Sequence, residues 1–281
     1  MTTLTARAIT PAAQAWLAAA RPARVLGVFE RTCNLVDEAG AVLTLAGPGV
    51  GLTPFGLAVQ GETRPFHALT AHSPVRIAGG ALTIGPLSVT AAGAATWDPR
   101  PDWAGVRAAL AARPDRLDRA RALAFAIGRP GSLLEIMGSP PLGEGRGGGL
   151  VHGLRARSLE AALAGAHALA GLGGGLTPAG DDFIVGALLA AWAGLWGGGA
   201  EALAGPIAEA AAPRTTTLSG AYLRAAAQGA CAEHWHQVFA ALAVDDDVLL
   251  EAALRRLLAV GHTSGADALA GFLMARVEVI P

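Results

Sequence analysis

The amino-acid sequence predicts an α+β protein: a small β-rich part over residues 1–100, folded as a sandwich or barrel, then an all-α helical domain over 101–281. Three observations lead there. From Arg24 to about Ala95, short β-branched stretches are closely punctuated by Gly and Pro. The segment Trp97-Asp-Pro-Arg-Pro-Asp-Trp103 then interrupts the chain, since neither a strand nor a helix continues through closely spaced prolines. Beyond it the text is rich in Ala and Leu at helical spacing, with no further β-like runs.

Taken in order, residues near Pro11 to Ala20 read as a short helix. Arg24 to Phe29, Ala41 to Leu45, Val75 to Ile77, Leu82 to Ile84 and Leu87 to Thr90 read as strands of a small antiparallel sheet. Helical spacing covers Val106 to Ala112, Asp115 to Ile127, Ser158 to Ala170, Asp181 to Trp196, Ala200 to Ala212, Ser219 to Leu242, Asp246 to Val260 and Ser264 to Arg276. Gly143 to Gly149 reads as a mobile glycine-rich segment. Gly49-Val-Gly-Leu-Thr-Pro-Phe-Gly56 returns almost literally as Gly173-Gly-Gly-Leu-Thr-Pro-Ala-Gly180, an echo that chance allows in so glycine-rich a chain.

Composition removes several classes of function. Charged residues are only 15% of the chain against 52% hydrophobic, so some helices are expected to be buried all round or covered by another subunit. A net charge of -1 gives no electrostatic case for nucleic acid or an anionic membrane. The longest apolar run, Phe183 to Trp196, falls short of the roughly 20 residues a spanning helix needs, and reads as a core helix. Cys33 and Cys231 have no metal-ligand spacing; with no signal peptide at the start they read as reduced thiols of a cytoplasmic protein. Every basic side chain is arginine, which excludes a Schiff-base or P-loop lysine. Anions must then be held by Arg, backbone N–H groups or helix N-termini.

Three segments can carry chemistry. In Gly171-Leu-Gly-Gly-Gly-Leu-Thr-Pro-Ala-Gly-Asp-Asp182, Thr177 is expected to cap a helix that Pro178 opens. The N–H groups of Gly173, Gly174 and Gly175, with Thr177 and Gly180, would form an anion pocket, and Asp181 and Asp182 could bind Mg²⁺ or orient a polar group. A plain interhelical turn, with the acids serving only the helix dipole, is the structural alternative. Pro213-Arg-Thr-Thr-Thr-Leu-Ser-Gly220 brings Thr215, Thr216 and Thr217 next to Arg214, with Arg224 one turn into the following helix; Thr217 or Ser219 could simply cap it. In Gly261-His-Thr-Ser-Gly-Ala-Asp267, Ser264 and Asp267 have capping-box spacing, while His262 and Thr263 fall outside it and are candidate proton or hydrogen-bond donors. In Glu233-His-Trp-His236, His234 and His236 point to different sides and cannot chelate one ion; Glu233 could share a face with His236 or Gln237, and a solvated face is the expected reading. Arg31 and Asn34 fit a β-turn as well as a site. No nucleophile elbow, Walker loop, HExxH or dinucleotide fingerprint is present, so positioning and charge stabilisation are expected rather than a covalent nucleophile.

In this order, the three segments resemble the family that includes the AllH-type subunit of oxamate carbamoyltransferase. The specific motifs lie between about Gly171 and Gly271; the N-terminal half resembles it loosely, around Arg31 to Asn34. The resemblance implies movement of a carbamoyl group between carbamoyl phosphate and oxamate, with oxalurate and phosphate on the other side, in purine and allantoin catabolism. It also implies other protein subunits as partners, although a homo-oligomer would equally explain the sparse charge. It carries over no catalytic residues. For such chemistry Gly173 to Gly175 and Thr177 could cradle phosphate, Arg214 or Arg224 could hold a carboxylate, and His262 or Thr263 could donate to the carbamoyl oxygen. Asp181 or Asp182 could orient the attacking amide nitrogen. Two other readings compete: a Mg²⁺-dependent hydrolase of a small amide or ureido compound using Asp181, Asp182 and Asp267, and a non-catalytic metabolite-binding subunit.

Overall fold

The computed structural model describes residues 2–137 and 146–276 and shows an α+β chain. Contacts divide it into two compact units at Pro99–Arg100.

The first unit holds nine strands and one helix: β1 (Thr2–Ile9), α1 (Pro11–Ala19), β2 (Ala23–Val28), β3 (Thr32–Asp37), β4 (Val42–Ala46), β5 (Gly56–Val59), β6 (Val75–Ala78), β7 (Ala81–Ile84), β8 (Leu87–Thr90) and β9 (Ala95–Thr96). Their order is β2-β3-β4-β5-β1-β8-β7-β6, with β9 beside β1. The end strands β2 and β6 also touch, so the sheet is nearly closed into a barrel. It is mixed rather than antiparallel, because β1 runs parallel to β8 and β9, and β4 parallel to β5. Four strands went unread: β1, β3, β5 and β9. Thr2–Ile9 alternates small residues with Thr and Arg, and Gly56–Val59 is too short to show a period. Leu35, Leu43, Leu45, Leu57, Phe66 and Ile84 fill the interior completely. Helix α1 is started by the Thr10 hydroxyl, which accepts the Ala13 N–H. Asn34 lies in β3, not in a turn: it is buried, and its Oδ1 accepts the Thr44 hydroxyl at 2.7 Å. Arg31 stands exposed in the β2–β3 turn, donates to the Gly49 carbonyl, and lines an open depression of about 630 Å³ with Phe29 and Phe66.

The second unit is helical: α2 (Trp103–Ala112), α3 (Asp115–Ile127), α4 (Leu133–Met137), α5 (Arg146–Ala156), α6 (Leu159–Leu169), α7 (Ala179–Trp192), α8 (Ala204–Ala211), α9 (Thr217–Ala227), α10 (Glu233–Leu242), α11 (Asp247–Leu258) and α12 (Ser264–Leu273). Helix α7 is buried on nearly every side, as so charge-poor a sequence requires. The stretch expected as one helix over Ser219 to Leu242 is two. Gly229, at φ +73°, turns the chain, and its carbonyl takes the Trp103 indole N–H at 2.9 Å. Rings of Trp103, Phe239, Trp235 and Phe272 then pack in series across the core, edge-on, stacked and tilted in turn.

Helix α5 was missed because Gly147-Gly-Gly149 reads as coil. Of the segment expected to be mobile, residues 146–149 are helical, and the remainder lies outside the described residues. Its glycines serve contact rather than freedom: a Cβ on Gly153 would stand 2.2 Å from the Ala162 nitrogen. Helix α7 meets α12 the same way. A Cβ on Gly186 would stand 1.7 Å from the Ala268 carbonyl oxygen, and one on Gly271 would stand 2.0 Å from that of Phe183. Backbone-to-backbone contact of this kind leaves no volume for a methyl group.

Gly271→Ala should therefore lose about 1–3 kcal/mol in urea unfolding, as overpacked cores do. Gly198→Ala, where an added Cβ meets nothing within 4 Å, should stay within about 0.5 kcal/mol of the parent.

Candidate functional site

Four chain segments far apart in sequence meet where α7 and α12 begin. The first is the loop before α7. Pro178 occupies the N-cap position with an extended backbone, so Thr177 lies outside the helix and does not cap it. Its hydroxyl is free to pair with that of Ser264 at 2.8 Å, which ties this loop to the start of α12. Gly180 is buried where a Cβ would lie 2.1 Å from the Leu169 carbonyl, so only glycine lets the loop fold back on the end of α6. Gly173, Gly174 and Gly175 are exposed, and among the described residues no acceptor takes their N–H groups.

Asp181 binds this loop to the second segment. Its Oδ1 accepts the Gly171 N–H at 2.9 Å, and its Oδ2 accepts the Thr215 hydroxyl. Both oxygens of a carboxylate that is 1% exposed are thus committed to holding the loops together. Thr216 continues the bracket: its hydroxyl donates to the Leu176 carbonyl at 2.5 Å and accepts the Ser219 N–H at 3.1 Å, making it the N-cap of α9. Neither Thr217, which is exposed, nor Ser219 plays that part; the Ser219 Oγ is buried with no hydrogen-bond partner. Arg214 is exposed beside the loop, its carbonyl packed against Gly171. Arg224 lies on the surface and pairs with Glu209 at 3.2 Å.

The third segment is the turn before α12. His262 is exposed, Thr263 and Ser264 half-buried. The Ser264–Asp267 pattern does mark a helix start, but no capping box forms: Ser264 is engaged with Thr177, and Asp267 reaches another helix. Asp267 Oδ1 accepts the Leu133 N–H at 2.6 Å, at the first residue of α4, which is the fourth segment. The sequence does carry a signal for α4, a Ser132-x-x-Glu135 box whose Ser132 Oγ accepts the Glu135 N–H. Nothing in it announces Leu133 as the partner of a carboxylate 134 residues away.

Asp182 and Asp267 are the acids of the cluster whose carboxyls burial shifts. Burial pushes the Asp182 carboxyl up to about 8; the negative charges of Asp267 and Asp181 add to this, and the Ser264 and Thr177 hydroxyls oppose it. Burial also raises Asp267, against the Leu133 N–H and the Thr263 hydroxyl. Each acid keeps a buried Oδ2 with no hydrogen-bond partner. Such an acceptor costs roughly 1–3 kcal/mol while unmatched, so the cluster favours a proton or a donor at that point. Among the described residues, no three His, Cys, Asp or Glu side chains are placed to hold a metal ion, and the acids expected to converge on Mg²⁺ do not form such a group. Of Glu233 to His236, Trp235 is buried and the other three are half-buried, with desolvation lowering His234. Among the described residues no helix is long and apolar enough to cross a membrane. Cys33 and Cys231 are free and buried.

The raised Asp182 carboxyl has a defined effect on stability. Because its native pKa exceeds the unfolded one, the stability it contributes is fully present below the ordinary carboxylate range and is lost as pH rises through about 8. Asp182→Asn cannot ionise, so between about pH 5 and pH 8 its urea midpoint should climb relative to the parent. Parallel curves would mean that the carboxyl is ionised throughout.

Comparison with known families agrees with this placement of the motifs. The family described as oxamate carbamoyltransferase subunit AllH matches residues 169–276, the range holding the first three segments. The AllH family N-terminal domain matches residues 5–96, well beyond the Arg31 to Asn34 region through which the N-terminal likeness was read. No solved structure matches the chain. Since the two matched ranges together span most of its length, the chain belongs to the AllH family.

Proposed function

We propose that this chain is a carbamoyltransferase subunit and that carbamoyl transfer between carbamoyl phosphate and oxamate takes place at the meeting point of α7, α9 and α12. Membership of the AllH family supports the carbamoyltransferase-related role. The observation that carries the rest is the bracket itself. Asp181, Thr216 and Thr177 draw three glycine- and hydroxyl-rich loops around two buried acids that retain unmatched acceptors.

The parts suit the reaction. Carbamoyl phosphate brings a dianion to the exposed N–H groups of Gly173, Gly174 and Gly175 beside the N-terminus of α7. Arg214, exposed at the rim, is better placed for the oxamate carboxylate than Arg224, which is paired with Glu209. In the transfer, the amide nitrogen attacks the carbamoyl carbon, a C–N bond forms, and the C–O bond to phosphate breaks. The nitrogen loses one proton, which the departing phosphate takes up. Thr263 and His262, at the start of α12, are the nearest candidate donors to the oxygen on which charge develops. Oxalurate phosphorolysis is the same path reversed, which would place the protein in purine or allantoin breakdown, in the cytoplasm, working with other subunits.

Thermal unfolding of the purified chain with phosphate, carbamoyl phosphate, oxamate, oxalurate and Mg²⁺ tests this. A ligand at about a hundred times its dissociation constant should add roughly 2.7 kcal/mol. Carbamoyl phosphate is expected to stabilise, and oxamate to increase its effect. A response to Mg²⁺ with none to phosphate compounds would instead support an amide hydrolase. No response to any of these compounds, with full turnover by the remaining subunits alone, would make this a non-catalytic component.

A further inference from the structure

Three polar side-chain atoms in the opening turns of the helices that build the site are buried without a hydrogen-bond partner: Asp182 Oδ2, Asp267 Oδ2 and Ser219 Oγ. They belong to α7, α12 and α9, the helices whose starts are tied together by the hydroxyl and carboxylate bracket. Asp181 offers nothing to a ligand, both its oxygens being taken. Asp267 is fixed on one side by the Leu133 N–H, and its other oxygen is left without a partner. Asp182 and Asp267 lie close enough for the charge of one to act on the other. Arg214 and Arg224, the arginines of the second segment and its helix, are exposed.

A pair of buried, adjacent carboxylates is complementary to a group with several N–H donors, and repels one that presents oxygens. We propose that Asp182 and Asp267 together receive the –NH2 group of a small primary amide, so that the carbamoyl acceptor is chosen by its N–H groups and not by its carboxylate. This rests on the reading of the cluster as a carbamoyl-transfer site and supplies its acceptor specificity. A planar amide offers two N–H groups, one for each oxygen, which holds the nitrogen at a set distance from the carbamoyl carbon. When the new C–N bond forms, the carboxylate holding the departing proton accepts it and passes it to the released phosphate. The pair therefore ends the cycle as it began. The proton that burial keeps on Asp182 in the free protein passes to solvent as the amide N–H groups arrive, and returns when the product leaves. Oxalate has the shape and carboxylate of oxamate but no N–H, and would set its oxygens against both acids.

The experiment compares oxamate, oxalate and phosphate on the full-length chain and on Asp182→Asn and Asp267→Asn, read as ligand-induced shifts in melting temperature over a titration. Asparagine keeps the size of each side chain and can still accept the Leu133 N–H, while presenting its own N–H to the ligand. Oxamate should bind the parent roughly tenfold or more tightly than oxalate, and each variant should weaken oxamate by a similar factor. Phosphate should bind all three proteins alike, which also shows that the variants are folded. Equal binding of oxamate and oxalate, or unchanged oxamate binding in both variants, would overturn the acceptor assignment while leaving the transfer reading in place. Absence of binding by phosphate and oxamate alike in the parent would overturn both.

Discussion

Helices α7 and α12 pass each other with no side chain between them, at Gly186 and Gly271. That contact lets both helices be buried on most of their surface and still begin side by side. Their opening turns carry Asp182 and Asp267, and the same approach puts Thr177 within hydrogen-bonding reach of Ser264. A larger residue at either crossing point would part the helix starts and with them the two acids. The geometry of the site is thus decided a turn or more away from it, by residues with no functional group.

Around that crossing the polar groups divide into those that build and those left over. Asp181, Thr215, Thr216, Thr177 and Ser264 satisfy one another or nearby backbone. A chain with so few charges spends its hydroxyls on structure, since each is cheaper to bury than an ion once paired. Against that background the unmatched oxygens of Asp182 and Asp267 stand out. Electrostatic work in such surroundings is done by fixed groups in a low dielectric, where a hydrogen bond to a charge counts for more than it would in water.

Much of this could be read from the sequence, and what could not has identifiable reasons. The change of texture at Trp97 to Trp103, the buried run of α7 and the three loops are all local patterns, and the helices and loops lie where those patterns put them. Errors arose where a local pattern had a distant use. Ser264 and Asp267 have the spacing of a self-contained cap, but their partners are Thr177 and Leu133. Thr177 before Pro178 looked like a cap for the same reason. Arg224 was grouped with the site by proximity in sequence, and its partner Glu209 lies 15 residues back on α8. Glycines were misread in both directions. Those of α5 are helical because they sit against α6, and Gly229 breaks an otherwise continuous helical text. The echoed octapeptides show how little such a string decides alone: Gly56 opens a strand, while Gly180 lies in the first turn of a helix.

The hydrogen bond from Leu133 to Asp267 spans 134 residues, and the Thr177–Ser264 pair spans 87. Contacts this distant close large loops, whose entropy must be lost before any interaction is gained. On the ribosome, α4, α6, α7 and α9 all emerge before the last wall of the cluster exists. Until residue 267 has emerged, neither Thr177 nor Leu133 has its partner from α12. The cluster is therefore closed only by the last of its four segments to be made, and the order of synthesis sets the order in which its walls arrive.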